Sequence, residues 1–124
     1  MPETALVVEP TEVSSLYAKY LKERSSDNIL ETSNGFATFR YLDGGKSVYI
    51  IDIYVLPEHR KSGEAARIAD NIVEQARVKG CTELLGSVCP SANGSTISLK
   101  VLLGYGMTLK SASNDFVIFT KEIK

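Results

Sequence analysis

The chain has 124 residues, 44% of them hydrophobic and 23% charged, with a formal net charge of −1. That length suits one domain, residues 1–124, around one core, and the near-neutral balance excludes a broad basic surface for nonspecific nucleic-acid binding. No apolar run approaches the roughly 18 residues that span a bilayer. The opening Met1-Pro2-Glu3-Thr4 lacks the basic and apolar stretches of a secretion signal. A cytoplasmic protein without membrane or nucleic-acid partners is expected. Cys81 and Cys89 would lie about 25 Å apart along an extended segment, too far for a disulfide. With a single histidine they also give no metal-ligand cluster.

In chain order, residues 5–9 read as a short first strand. Pro10-Thr11-Glu12 opens a helix with Thr11 as N-cap, and Val13, Leu16, Tyr17, Tyr20 and Leu21 form its apolar stripe. Residues 28–33 form a second strand. Asn34-Gly35 predicts a type I′ hairpin turn, whose central positions need positive φ. Residues 36–42 form a third strand, Asp43-Gly44-Gly45 turns, and residues 47–56 form a fourth. This fourth strand is almost continuously apolar, which predicts a central strand covered on both faces.

Pro57 ends that strand, and a helix is predicted from about Gly63 to Lys79, with Ala65, Ile68, Ala69, Ile72, Val73 and Ala76 on one face and Gly80 as its stop. Residues 82–89 form a fifth strand, parallel to the fourth because a helix crosses between them. The loop 91–95 has helix-start chemistry. A short helix carries Ile97, Leu99, Val101, Leu102 and Leu103 and stops at Gly104. Two last strands, about 107–112 and 116–122, flank a Ser113-Asn114-Asp115 turn. The order β-α-β-β-β-α-β-α-β-β predicts a mixed α/β (α+β) fold: one mixed sheet with helices on its faces.

The chemistry concentrates between the fourth strand and the second helix, in Arg60-Lys61-Ser62-Gly63-Glu64-Ala65. A helix that opens just after a buried strand presents amides without intrahelical partners at the positive end of its dipole, a ready anion site. Gly63 lets an anion approach the backbone, and Arg60, Lys61 and Arg67 add local positive charge. A plain strand-to-helix turn with solvated basic residues is the alternative for so short a motif. No Gly-Lys-Ser/Thr follows, so a Walker loop is excluded. A dinucleotide fold is disfavoured, because its glycine turn would follow the first strand of a parallel sheet.

With its preceding Val-x-Pro, this stretch resembles the Arg/Gln-x-x-Gly-x-Gly/Ala signature of the GNAT (Gcn5-related N-acetyltransferase) superfamily. The element order is similar along nearly the whole chain. Asn93 to Tyr105 resembles a second recurring stretch, an Asn, a helix and then Gly-aromatic, here Gly104-Tyr105. The resemblance implies an acyl-CoA N-acyltransferase fold and acetyl-CoA as co-substrate. The pyrophosphate would rest on the amides of Arg60, Lys61, Ser62, Gly63, Glu64 and Ala65. The pantetheine would pair beside Val55 and Leu56, with Asn93 contributing, and no metal is implied. The partner would be an amine acceptor, small or on a protein or peptide, and the oligomeric state a monomer or homodimer.

Two positions depart from the family pattern. Lys100 stands seven residues after Asn93, where the family's tyrosine acid is usual. It is a candidate acid or a solvated helix residue. Glu64 occupies a commonly apolar, inward position; it either points to solvent or lowers cofactor affinity. Asp52, the one acid inside the fourth strand, is a candidate base or a structural carboxylate. Tyr49 and Tyr54 are candidates for the acceptor side or, as is commoner for aromatics in a central strand, core residues; His59 has a minor catalytic prospect, and Cys89 is expected to be buried and inert. The expected activity is N-acetyl transfer by direct attack of a primary amine. The alternative is a non-catalytic acyl-CoA-binding or protein-interaction module of the same fold.

Overall fold

The structure, a computed structural model, describes residues 7–8 and 15–124. The strands are β1 (Val7–Val8), β2 (Asn28–Thr32), β3 (Gly35–Leu42), β4 (Ser47–Val55), β5 (Glu83–Val88), β6 (Thr108–Ser113) and β7 (Phe116–Glu122). The helices are α1 (Leu16–Ser25), α2 (Glu64–Val78) and α3 (Ser95–Gly104), with short 3-10 turns at Asp43–Gly45 and Pro57–His59. The strand order is β1-β2-β3-β4-β5-β7-β6. This is the expected mixed α/β architecture. The expected N-cap Thr11, Val13 and the outer residues of the first strand lie outside the described residues.

The chain divides into two compact units, Met1–Arg40 with Ile50–Gln75 and Tyr41–Tyr49 with Ala76–Lys124. In the first unit β2 pairs antiparallel with β1 and β3, with Leu30 opposite Ala37. The core is built from Leu30, Ala37, Val55, Ile68 and Ile72, all buried. Ile68 and Ile72 stand one helical turn apart, so α2 buries the face its period predicts. Truncating either to alanine would cost about 2–5 kcal/mol.

Helix α1 departs from expectation. Ser15 is its N-cap, accepting from the Ala18 amide at 3.0 Å. Its one buried residue is the small Ala18, whereas Leu16 is 83% exposed and Tyr17 and Tyr20 are about half exposed. Of the expected apolar stripe, Leu16, Tyr17 and Tyr20 therefore face outward, while Leu21 is half-buried. The helix meets the sheet through a small residue and an edge-on contact of the Tyr17 ring with Phe36, centroids 6.0 Å apart.

The β2–β3 turn also differs. Neither Asn34 nor Gly35 has positive φ. Thr32 holds the turn instead, its Oγ1 accepting from the Asn34 and Gly35 amides at 3.1 Å each. Gly35 is required for space: a Cβ there would run into the Tyr54 carbonyl oxygen and stand 3.0 Å from the Val55 Cα.

In the second unit the start of β4 pairs parallel with β5, Ser47–Tyr49 against Glu83–Leu85, as the helical crossover requires. β5 pairs antiparallel with β7, and β7 with the outer strand β6. Gly80 adopts φ 95°, and the Cys81 and Gly80 amides close α2 on the Ala76 and Arg77 carbonyls at 2.9 Å, a glycine-terminated helix end. Val48, Leu84, Ala76, Met107 and Phe119 are buried. All six residues of β6 are exposed, its ladder slips between Leu109 and Ser111, and Lys110 turns inward to Glu83 at 2.7 Å.

Candidate active site

The first unit carries the residues expected to seat a phosphate. Strand β4 ends at Val55, Leu56 leads into the Pro57–His59 turn, and α2 starts at Glu64. Lys61 and Gly63 both adopt left-handed backbone, φ 64° and 88°. Left-handed backbone at two residues of one short turn is the kind of conformation from which anion nests are built. Among the described residues no backbone carbonyl accepts from the Lys61, Ser62 or Gly63 amides. Those of Glu64 and Ala65 belong to the first turn of α2, where no intrahelical acceptor exists. The Arg60 amide is not free, since it donates to the Pro57 carbonyl at 3.3 Å. The nest therefore starts at Lys61.

Arg60 acts through its side chain. Its Nε donates to the Val55 carbonyl at 2.8 Å, and its guanidinium lies 5.5 Å from the centroid of the Tyr54 ring. The end of β4 and the turn are thereby pinned together. The Leu56 amide donates to the Asn34 carbonyl at 2.8 Å. Of the two positions expected to pair with pantetheine, Leu56 has thus committed its amide to the β2–β3 turn.

Glu64 does not point to solvent. It is 3% exposed, its Oε2 accepting from Thr32 Oγ1 at 3.2 Å and its Oε1 from Arg67 at 2.6 Å. The side chain thus takes the inward direction that the resemblance implied for this position, with a carboxylate rather than an apolar group. The negative charge faces the hairpin and is matched by Arg67. Sequence reasoning missed Thr32, whose hydroxyl serves both the hairpin and Glu64. A threonine directly before a turn was the signal for it.

Asp52 and Tyr54 are exposed on β4, whereas Ile53 and Val55 are less so. The two therefore share one face of the strand. β4 is central in the sheet, but the expectation that it is covered on both faces fails: its second half opens this face to solvent. Although Asp52 is exposed, the surrounding protein strips enough water from its carboxylate to raise its pKa above the ordinary value. It makes no hydrogen bond or ion pair with a described residue. Beside it the Tyr54 ring packs on Phe36, centroids 5.7 Å apart, and His59 is half-buried in the turn.

The second unit holds the remaining candidates. Asn93 is exposed in the loop before α3, and Gly94, with φ 78°, is the N-cap without a side-chain cap. That loop is tied down by Asp115, which accepts from the Ser91 amide at 3.0 Å and from the Ser91 hydroxyl. Lys100 is exposed on α3, as are Ile97, Val101 and Leu103. Cys89 is exposed rather than buried, and Cys81 is buried with its thiol on the Gly45 carbonyl; both are free thiols. Strand β5 ends at Val88, so Cys89 falls where the chain leaves the sheet. Tyr49 shares a 2.7 Å hydrogen bond with Ser87. Among the described residues no group of three potential metal ligands occurs, and no helix is long and apolar enough to cross a membrane.

A family profile described as Acetyltransferase (GNAT) family matches residues 12–105. The thialysine N-epsilon-acetyltransferase of Bos taurus is 42% identical over 40 residues, 32% of this chain and 24% of that protein. The chain thus aligns with about a quarter of that relative's length. Among solved structures, a GNAT-family protein of Desulfovibrio desulfuricans described as a putative acetyltransferase superposes with TM-score 0.71 at 14% identity, covering 86% of this chain and 76% of that one. The PaiA N-acetyltransferase of Thermoplasma acidophilum, solved in complex with coenzyme A, gives TM-score 0.69 at 14% identity over 86% and 68%. At these identities the likeness to both structures is one of fold.

Proposed function

Because the chain belongs to the GNAT acetyltransferase family, we propose that it moves an acetyl group from acetyl-CoA to a primary amine by direct attack. The observation that carries this reading is the nest at Lys61–Gly63, two left-handed residues with open amides directly before α2. It fits a pyrophosphate, because backbone donors and the helix dipole favour an anion without any change in the fold.

In this reading Lys61, Ser62, Gly63, Glu64 and Ala65 hold the pyrophosphate through their amides, and Arg60 fixes the turn from below. Val55 offers the strand edge to pantetheine. Bound acetyl-CoA supplies an activated acetyl thioester. Asp52 takes a proton from the acceptor ammonium, its raised pKa bringing it closer to that task. The freed amine then displaces the CoA thiolate from the acetyl carbon. The overall products are an N-acetyl amide, CoA thiol and one proton. A thiol with pKa near 8.5 is a fair leaving group, so no dedicated acid is required, and the exposed Lys100 is not given that role.

The test is titration calorimetry with acetyl-CoA, followed by thiol release on a panel of amines. No heat up to millimolar ligand would sink the reading. The second reading, a binding module without catalysis, is favoured by the lysine at position 100. Acetyl-CoA binding without thiol release on any amine would establish it.

A further inference from the structure

Tyr54 has charged groups of opposite sign nearby. Asp52 precedes it by two residues on the same exposed face of β4, a separation of roughly 7 Å along the strand. The Arg60 guanidinium lies 5.5 Å from the Tyr54 ring centroid. Arg60 spends Nε on the Val55 carbonyl, and its two terminal nitrogens have no acceptor among the described residues. Asp52 has no cationic partner there either. Tyr54 is 42% exposed, and its ring is backed by Phe36, itself braced by Tyr17.

A carboxylate, an aromatic surface and a guanidinium fork grouped at the end of one strand complement a ligand with an ammonium at one end and a carboxylate at the other. The ring carries the apolar chain between them. Charge selects the orientation: the ammonium goes to Asp52, and the carboxylate takes the paired donors of Arg60, which match it in geometry.

We propose that Asp52, Tyr54 and Arg60 form an acceptor subsite for a zwitterionic amine, an ω-amino acid whose carboxylate is held by Arg60 while its amine is acetylated. This rests on the acetyl-transfer reading. A purely cationic acceptor would leave the Arg60 fork unused and bring a second positive charge against it.

The probes are ε-aminocaproate, hexylamine and hexamethylenediamine, which share a chain length and differ in the far end. For the wild-type protein, kcat/KM with ε-aminocaproate exceeds that with hexylamine by about tenfold, the worth of one charge-assisted hydrogen bond. In Arg60→Met that ratio falls to about one. Taking the ratio cancels any loss of cofactor binding, because both amines share the cofactor. Asp52→Asn lowers both rates and keeps the ratio. A wild-type ratio of one or less, a preference for the diamine, or an unchanged ratio in Arg60→Met overturns the proposal.

A second measurement needs no turnover. The ring resonances of Tyr54 shift when ε-aminocaproate is added in the absence of acetyl-CoA, and the shift is lost in Arg60→Met. Ring shifts without thiol release on any amine leave the subsite standing and sink acetyl transfer. Thiol release without the preference does the reverse.

Discussion

Thr32 and Glu64, the end of β2 and the start of α2, meet through a hydrogen bond of 3.2 Å between Oγ1 and Oε2. The same hydroxyl accepts from the Asn34 and Gly35 amides. The hairpin and the first turn of the candidate phosphate seat are therefore held by one polar cluster. Glu64 is buried inside it, and a buried carboxylate is tolerated only with such partners.

Removing that carboxylate should loosen both ends of the cluster. Glu64→Ala is expected to lower stability by about 1–3 kcal/mol, the cost of stranded polar partners. Glu64→Gln keeps an acceptor for Thr32 and should cost less. Urea unfolding of the two variants checks the order.

The left-handed backbone at residue 63 gives a second prediction. Gly63→Ala places a Cβ on φ 88°, with a strain of roughly 1–2 kcal/mol. Gly63→Asp adds a negative charge at the nest. Calorimetry should find acetyl-CoA binding weakened about tenfold by alanine and abolished by aspartate. Unchanged affinity in Gly63→Asp would mean that the pyrophosphate does not sit on this turn.

Asp52 should show opposite signs in activity and stability. As a base it works ionised, so kcat/KM should rise with pH through a value above the ordinary aspartate range, since its pKa is raised. Asp52→Asn should lower kcat by about 10² or more. In stability the raised folded pKa means that ionisation costs the folded state. That cost is absent at pH below the unfolded value and appears as pH rises through the folded one. The same substitution should therefore leave the melting temperature at neutral pH equal or higher. A lower melting temperature with unchanged kcat would mark Asp52 as structural.

Asp27 behaves in the opposite sense. Arg40 grips it through Nε at 2.6 Å and a terminal nitrogen at 3.0 Å, and that pairing lowers its pKa. A lowered folded pKa stabilises above the unfolded value, and the stabilisation is lost as pH falls through the folded one. Arg40 is partly exposed, so Asp27→Asn should cost only about 1 kcal/mol at pH 7. Denaturant midpoints of wild type and variant should converge on acidification below the ordinary aspartate range.

Lys100→Ala separates two roles for an exposed residue. A solvated lysine predicts a change in kcat of less than about threefold and a stability change within about 0.5 kcal/mol. A loss of about 10²-fold or more would make it the proton donor to the thiolate.

The element order was legible because period and punctuation agree along this chain. Ile68 and Ile72 mark the buried face of α2, Pro57 ends β4, and Gly80 closes α2 through positive φ. Gly63 was legible as the residue that lets an anion approach, but its left-handed backbone was not: the helix was expected to start there, and it starts at Glu64. Where sequence reading failed, the deciding contact lay far along the chain. The inward turn of Glu64 depends on Thr32, and the commitment of the Leu56 amide depends on Asn34. The outward face of α1 was hidden because periodicity reports a stripe but not which way it turns. The Asp52–Tyr54–Arg60 grouping needs a six-residue turn to fold back on its own strand, which no local pattern encodes.

The closeness of Gly35 to the Tyr54 carbonyl makes volume, rather than conformation, the quantity that restricts this position. Any larger residue there would push on the backbone of Tyr54 and displace the ring against which Arg60 rests. Sequence drift at residue 35 is therefore closed by a site that it does not touch. A library randomised at this position alone should return glycine, and a second acceptable residue should emerge only alongside compensating changes in β4.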